Sequence, residues 1–333
     1  MKPILFSCLL LLFSACAIPQ VQPILPRVNI PHLQFHPIQQ VTVEDKTQLP
    51  LRSWIPHHNP KAVIIAVHGF NDYGHAFEIP GEYMQQHGFA VYAYDQRGFG
   101  RAPFVGIWPG EENLIHDLSD ITRAIKKRHP HIPIYILGES MGGAVAVIAL
   151  TRHNFPKVNG LILSAPAVWG GEAMNPFFRS FLWLFAHTMP QHRITGQDLH
   201  ILASDNIDML RALGNDPLVI KQTRIDAIYG LVQLMGEAYK SIDKIKGPVL
   251  ILYGAHDQVI PPVPVIKAID KINVEKACAY YPLGYHMLLR DRHGDIVVDD
   301  IIAWIVNRRL PLPSHAKIKT SKFLKYAPAC FSK

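Results

Sequence analysis

Residues 132–150 read IPIYILGESMGGAVAVIAL, and the reading of this stretch decides the fold. Ile132 to Leu137 is an apolar run suited to a buried strand. Gly142 to Leu150 is a run of small and aliphatic residues that can wind as a buried helix. Ser140 stands between the two, with Gly138, Gly142 and Gly143 beside it. A bare Gly-x-Ser-x-Gly string arises by chance in roughly one chain of this length in ten, so its setting must carry the weight. A nucleophile elbow needs glycines around a strained serine, because helix and strand must pack closely there. Such a turn falls at the carboxyl end of a parallel sheet, where open α/β sheets bind ligands.

The flanking sequence supplies that sheet. QVTVED and LPLRSWIP read as two strands joined by the polar turn DKTQ, an antiparallel start. Six further runs follow: AVIIAVHG, FAVYAYD, IPIYILG, VNGLILSAP, GPVLILYG and ACAYYPL. Most are near-continuous apolar stretches, as parallel strands covered on both faces require. Helical patterns lie between them, for example Asn113 to Lys127, with Leu114, Ile115, Leu118, Ile121 and Ile125 on one face. This alternation predicts a mostly parallel, doubly wound α/β sheet. Residues 170–246 interrupt it with no strand-like run, and PFFRSFLWLFAHTMP, NIDMLRALG and LVIKQTRIDAIYGLVQLMGEAYKSI predict a helical cap inserted between two strands.

A serine hydroxyl is a weak nucleophile and needs a base and an orienting acid. Asp257 lies just beyond the run VLILYG, and His286 just beyond ACAYYPL. The order Ser140, Asp257, His286 is that of one hydrolase fold and not of the two other common arrangements. An oxyanion needs backbone donors, and the amides of Met141 and Phe70 are the candidates, Phe70 because Gly69 lets the chain bend after the strand ending at His68. His68, His256, Asp95 and Arg97 read as bracing groups. The aromatic Phe177, Phe181, Trp183 and Phe185 of the cap are expected to line an acyl channel above Ser140. There is no His-Glu-x-x-His, no paired-cysteine motif and no phosphate-binding glycine loop, so neither a metal nor a nucleotide cofactor is expected.

The segments HGFNDYG, DQRGFGRA, GESMGG, LILSAPA, NDPL and GAHDQVIPP, in this order, resemble the monoacylglycerol lipase/lysophospholipase branch of the α/β-hydrolases. The resemblance runs from about Val41 to Arg309. It implies the α/β-hydrolase fold and assigns the triad to Ser140, Asp257 and His286, the oxyanion amides to Phe70 and Met141, and the family's cap to the insertion. It also implies an acyl ester or lipid as substrate. One departure stands out: FNDYG occupies the place where acylglycerol members often carry a Gly-Glu-His run.

The termini and composition complete the expectation. MKPILFSCLLLLFSACA has one cation, an apolar core and small residues, the pattern of a secretory signal too short to span a membrane. Ala15-Cys16-Ala17 suits cleavage to a soluble protein, whereas Phe13-Ser14-Ala15-Cys16 resembles a lipobox that would place a lipid on Cys16. The five-proline stretch that follows, uncharged except for Arg27, favours the lipoprotein, with residues 17–40 as an extended tether. Residues 41–309 form the hydrolase domain, with the cap at about 170–246, and 310–333 form a basic tail. From Arg308 onward there are seven Lys/Arg and no acid, leaving 26 cations against 26 anions before it. The body is therefore neutral, which argues against a nucleic-acid face and leaves the tail a salt-sensitive attraction to lipid. Cys278 and Cys330 could pair in an oxidising compartment, but the simpler reading is a buried strand thiol and a tail thiol. The expected protein is an envelope-tethered serine esterase, lipid-anchored at the outer membrane on its periplasmic side if Gram-negative. The alternatives are an aminopeptidase or amidase using a cap carboxylate (Asp205, Asp208, Asp216, Asp226 or Glu237), an inactive binding lipoprotein, and a soluble secreted or periplasmic form.

Overall fold

The computed structural model describes residues 17–27, 35–36, 40–169, 174–196 and 201–318. Their strands are β1 (Phe35–His36), β2 (Gln40–Thr42), β3 (Gln48–Trp54), β4 (Val63–Val67), β5 (Ala90–Tyr94), β6 (Ile134–Glu139), β7 (Gly160–Ser164), β8 (Arg193–Ile194), β9 (Thr223–Arg224), β10 (Val249–Gly254), β11 (Lys276–Tyr281) and β12 (Lys317–Ile318). The α-helices are α1 (Glu78–Gln86), α2 (Glu111–Arg128), α3 (Met141–Thr151), α4 (Pro176–Thr188), α5 (Ile207–Asn215), α6 (Ile225–Ser241), α7 (Pro262–Asp270) and α8 (Gly294–Val306). Ten of the strands form one sheet in the order β1-β2-β3-β5-β4-β6-β7-β10-β11-β12. The run from β5 to β11 is parallel throughout. The antiparallel start is the β2–β3 hairpin, turned at Lys46 with φ 67°.

The sheet is buried on both faces because its strands carry two interleaved sets of apolar residues. Along β4, Val63, Ile65 and Val67 pack with α2 and α3 through Leu114, Leu118, Val145 and Ile148. Ile64 and Ala66 face the other way, toward Met84 of α1 and Val297, Ile301 and Trp304 of α8. That period of two within a continuous apolar run is what a strand covered by helices on both sides must show. Helix α2 has Glu111 and Glu112 in its first turn and Lys126, Lys127 and Arg128 in its last, opposing the helix dipole at each end. The loops that leave β4, β6, β10 and β11 all emerge at the same edge of this sheet, since the strands are parallel.

The cap enters between β7 and β10, as the sequence predicts. It departs from an all-helical insertion in one respect: β8 and β9 pair as a two-residue antiparallel ribbon, Arg193 with Arg224 and Ile194 with Thr223. A two-residue ribbon has no periodicity to read.

A second departure concerns the segment expected to stand clear as a tether. Residues 17–27 lie along the domain as a strap. Ala17 N–H donates to His187 O (2.6 Å) and Gln22 N–H to Trp108 O (3.0 Å). Gln20 N–H meets Asp226 Oδ2 and its side-chain oxygen accepts from Arg224. Arg27 bridges Glu44 and the buried Asp120. Proline spacing predicts an extended backbone. It cannot say that polar side chains between the prolines have partners far away in sequence. Cys16, the signal and Cys330 lie outside the described residues, while Cys278 is buried in β11.

Candidate active site

Ser140 sits at the junction of β6 and α3 with φ 53° and ψ −117°. A side chain in that region costs about 1–3 kcal/mol and persists only where the surroundings impose it. The surroundings here are close packing and hydrogen bonds. A Cβ on Gly142 would stand 2.0 Å from Val67 O, and one on Gly138 would stand 2.6 Å from Gly142 O. Only hydrogen fits at either place, so the first turn of α3 lies directly on the ends of β4 and β6. Ser140 N–H donates to Ser164 O of β7, and Ser140 O accepts from Gly143, Ala144 and Ala167. The serine is thus held from β7, the segment after it and the first turn of α3.

Its partners come from later strand ends. Asp257 follows β10 and His286 follows β11, both buried, with His286 Nδ1 2.9 Å from Asp257 Oδ2. The other carboxylate oxygen accepts the amides of Val259 (2.8 Å) and Ile260 (2.9 Å). An ionised carboxylate only accepts, so Nδ1 carries the proton and Nε2 is left with its lone pair. Burial acts most strongly on His286 and disfavours its charged form. The charge and hydrogen bond of Asp257, aided by Glu139, outweigh it and hold the pKa above the ordinary 6.5.

Ser140 and His286 open into one cavity of about 240 Å³, walled by Gly69, Phe70, Ala167, Ala203, Leu231, Met235, Val259, Ile260 and Met287. A larger hollow of about 730 Å³ lies behind the His286 loop, lined by residues such as His256, Tyr281, Leu283 and His315. It contains neither Ser140 nor His286, so size does not identify the site. Gly69 brings the loop after β4 against the serine, its would-be Cβ 3.4 Å from Ser140 Cβ. Phe70 follows, its ring packed edge-on against Phe99. Met141 opens α3, and a helix's first amides have no acceptor within the helix. Beneath that loop His68 is fully buried and its pKa is lowered by that burial. Its Nε2 accepts Gln96 N–H (2.9 Å), so Nδ1 carries the proton and donates to Gly69 O (2.8 Å). Asp95 accepts from Arg52, Gly74 and Arg101, and Arg97 grips Asp117 through two bonds of 2.7 Å. These are bracing contacts, as is the stacking of His256 on Tyr285.

The four cap aromatics are placed elsewhere. Phe177, Phe181, Trp183 and Phe185 are 75, 55, 50 and 42 % exposed on α4, and none lines the cavity holding Ser140. The apolar cap residues in the wall are Ala203 and, from α6, Leu231 and Met235. An apolar helix pattern reports that a face avoids water; it does not say which surface that face meets.

Two features had little signal in the sequence. The guanidinium of Arg290 is buried between Asp72 (2.8 Å) and Glu139 (3.3 Å), the residue before Ser140. All three line the cavity. The cap segment 202–206 is also bonded into both loops: Leu202 N–H to Gln258, Met287 N–H to Ala203 O, and Asn206 to Arg290 O. Asp291 closes this link, accepting Ser204 O–H (2.6 Å) and Tyr285 N–H (2.8 Å).

With this geometry in place, comparison with known proteins is informative. Residues 58–293 match the family model described as serine aminopeptidase, S33. The chain belongs to this family. A monoacylglycerol lipase of Mycolicibacterium smegmatis is 25% identical over 266 residues, spanning 76% of this chain and 91% of the relative. A soluble variant of the Saccharomyces cerevisiae monoglyceride lipase, solved with a substrate analog, superposes with TM-score 0.68 at 20% identity, covering 89% of this chain and all of that one. The monoacylglycerol lipase of Paleococcus ferrophilus superposes with TM-score 0.64 at 23% identity, over 78% of this chain and 98% of its own. The fold of this family member is the α/β-hydrolase fold.

Two outcomes follow from the geometry. Gly142→Ala forces a side chain onto Val67 O and should cost about 3 kcal/mol of stability, read as a lower urea midpoint. Gly214→Ala, whose added Cβ meets nothing within 4 Å, should be neutral or gain about 0.5 kcal/mol in the same measurement. NMR titration of His286 should give a pKa above 6.5 that falls in Asp257→Asn, because burial is then opposed by Glu139 without the larger contribution of Asp257.

Proposed function

We propose that the protein is a serine hydrolase that cleaves carboxylic esters of the acylglycerol or lysophospholipid type through an acyl-enzyme. The observation that carries this reading is that His286, bonded to the buried Asp257, opens into the same cavity as a serine at positive φ. Neutral His286 takes the Ser140 proton as the hydroxyl attacks the ester carbonyl, and Asp257 holds the resulting imidazolium. The developing oxyanion is received by the amides of Phe70 and Met141. Collapse of the tetrahedral intermediate expels the alcohol, protonated by His286. Water then attacks the acyl carbonyl as it gives a proton to His286. Collapse of the second tetrahedral intermediate breaks the bond to Ser140 Oγ, which takes that proton back as the acid leaves.

Esters are favoured over peptides by the state of the carboxylates that an amine substrate would need. Asp216 accepts the Tyr73 hydroxyl, Asp226 is paired with Arg224, Asp205 holds the Arg292 amide, and Glu237 meets Ser241. Asp208 pairs with Arg211 on the surface, and none of these five lines the Ser140 cavity. Asp72 and Glu139 do line it, but both are engaged by Arg290. The lipid character is supported by the apolar wall of Leu231, Met235, Val259, Ile260 and Met287, and by the monoglyceride lipase names of the relatives. Cys16 is proposed to carry the lipid anchor, on the strength of the lipobox-like Phe13-Ser14-Ala15-Cys16, giving an envelope protein. Among the described residues no helix is long and apolar enough to cross a membrane.

Ser140→Ala should retain the fold and lose turnover, by on the order of a million-fold at most; retention of a tenth of the activity would exclude Ser140 as nucleophile. A panel of p-nitrophenyl esters against aminoacyl anilides should show turnover of the esters alone, with kcat/KM rising through a pH inflection above 6.5 as His286 loses its proton. Efficiency should grow with acyl length until the cavity fills, each buried methylene being worth about 0.8 kcal/mol. Met235→Glu should flatten that growth.

A further inference from the structure

Phe70, whose amide is the proposed oxyanion donor, is gripped from two sides. Upstream the grip belongs to the core: Gly69 O accepts from His68 Nδ1 (2.8 Å). Carbonyl and amide point opposite ways in a trans peptide, so this bond also aims the Phe70 N–H. Downstream the grip belongs to the cap. Asn71 O accepts Ile220 N–H (3.0 Å), and Asn71 Nδ2–H donates to Thr223 Oγ1 (2.7 Å). Asp72 turns back to Arg290, and the Tyr73 hydroxyl donates to Asp216 Oδ2 (2.6 Å), again in the cap.

Backbone alone does not call for an asparagine at position 71. Its φ is 64°, in the left-handed region that glycine adopts freely and asparagine tolerates. Asparagine in a turn commonly bonds its side chain to the backbone of its own loop. Here it reaches past the loop to β9. It belongs to the FNDYG run that departs from the family pattern, and it does not line the Ser140 cavity. Its acceptor is fixed in turn. Thr223 is buried and paired with Ile194 across the β8–β9 ribbon, and Arg224 beside it is held by Asp226 and by Gln20 of the strap.

We infer that Asn71 is a positioning residue: its bond to Thr223 makes the placing of the Phe70 amide, and so the reception of the oxyanion, depend on the cap. This rests on the proposed roles of Ser140 and Phe70 and adds to them a coupling between the cover of the site and its chemistry. An oxyanion hole works through donors held in place before the charge develops. With the Asn71 side chain released, the Phe70 amide is still present but aimed from the core side alone. A poorly aimed donor weakens the transition state more than the bound ester.

The test follows hydrolysis of p-nitrophenyl acetate by the full chain. The kcat is expressed per Ser140 labelled to completion by a fluorophosphonate, so that misfolded protein does not count. Asn71→Gly keeps the backbone angle and loses the side chain, while Thr223→Val keeps the shape and loses the oxygen. Each should lower kcat about ten-fold, with KM changed by less than about two-fold. Binding of a trifluoromethyl ketone should weaken by the same factor. Ser140 Oγ adds to its carbonyl carbon, the serine proton passes to His286, and the carbonyl oxygen becomes the oxyanion. The double variant should be no slower than either single one, and Thr223→Ser, which keeps the oxygen, should match wild type. Unchanged kcat in both single variants, a change confined to KM, additive losses, or a Thr223→Ser as slow as Thr223→Val overturns the inference and leaves the esterase standing. A wild type that neither turns over the ester nor takes up the fluorophosphonate overturns the esterase reading, and this inference with it.

Discussion

The contact between the first turn of α3 and the end of β4 governs the rest of the site. Gly142 lets two backbones approach to a distance that no side chain permits. Because helix and strand meet there, the chain between β6 and α3 has no room for a relaxed turn, and Ser140 takes up a positive φ. The same contact brings the β4 end, with His68, Gly69 and Phe70, beside the serine. Ser140 and the amides of Phe70 and Met141 are thus placed by one packing event rather than by separate devices. His68 then fixes the loop from below, its tautomer set by the Gln96 amide.

Charge is handled differently in the cavity's two halves. On one side an imidazole is held by one oxygen of a carboxylate whose other oxygen accepts two backbone amides. On the other, Asp72 and Glu139 share the Arg290 guanidinium. Buried ion pairs of this kind are weak evidence for stability, since desolvation offsets their attraction. Their consequence is electrostatic and local. Glu139 raises the His286 pKa and Arg290 lowers it, so the trio tempers the field at the imidazole.

What could be read from sequence was local or ordered along the chain. The six parallel strands were visible as apolar runs, the elbow as three glycines around a serine, and Asp257 and His286 as polar residues just past strand ends. What could not be read depends on distant partners. Gln22 meets Ile107, 85 residues away, and Gln20 meets Asp226, 206 away. Arg290 and Glu139 are 151 apart, and no periodicity announces such a pair. The cap aromatics mark the same limit in another form. Their spacing gave a helix correctly, but the choice between lining a cavity and facing outward is made by how α4 leans on α6.

The stitching of segment 202–206 bears on how such enzymes can be altered. Caps are often regarded as exchangeable modules set on a conserved hydrolase core. Here Ala203 and Ser204 supply bonds to the very loop that carries His286, and Leu202 touches the loop that carries Asp257. A grafted cap would bring its own cavity walls, yet it would also remove part of the scaffolding under Asp257 and His286. Recombination between relatives should therefore succeed only where the crossover points leave this five-residue seam with the core it was fitted to.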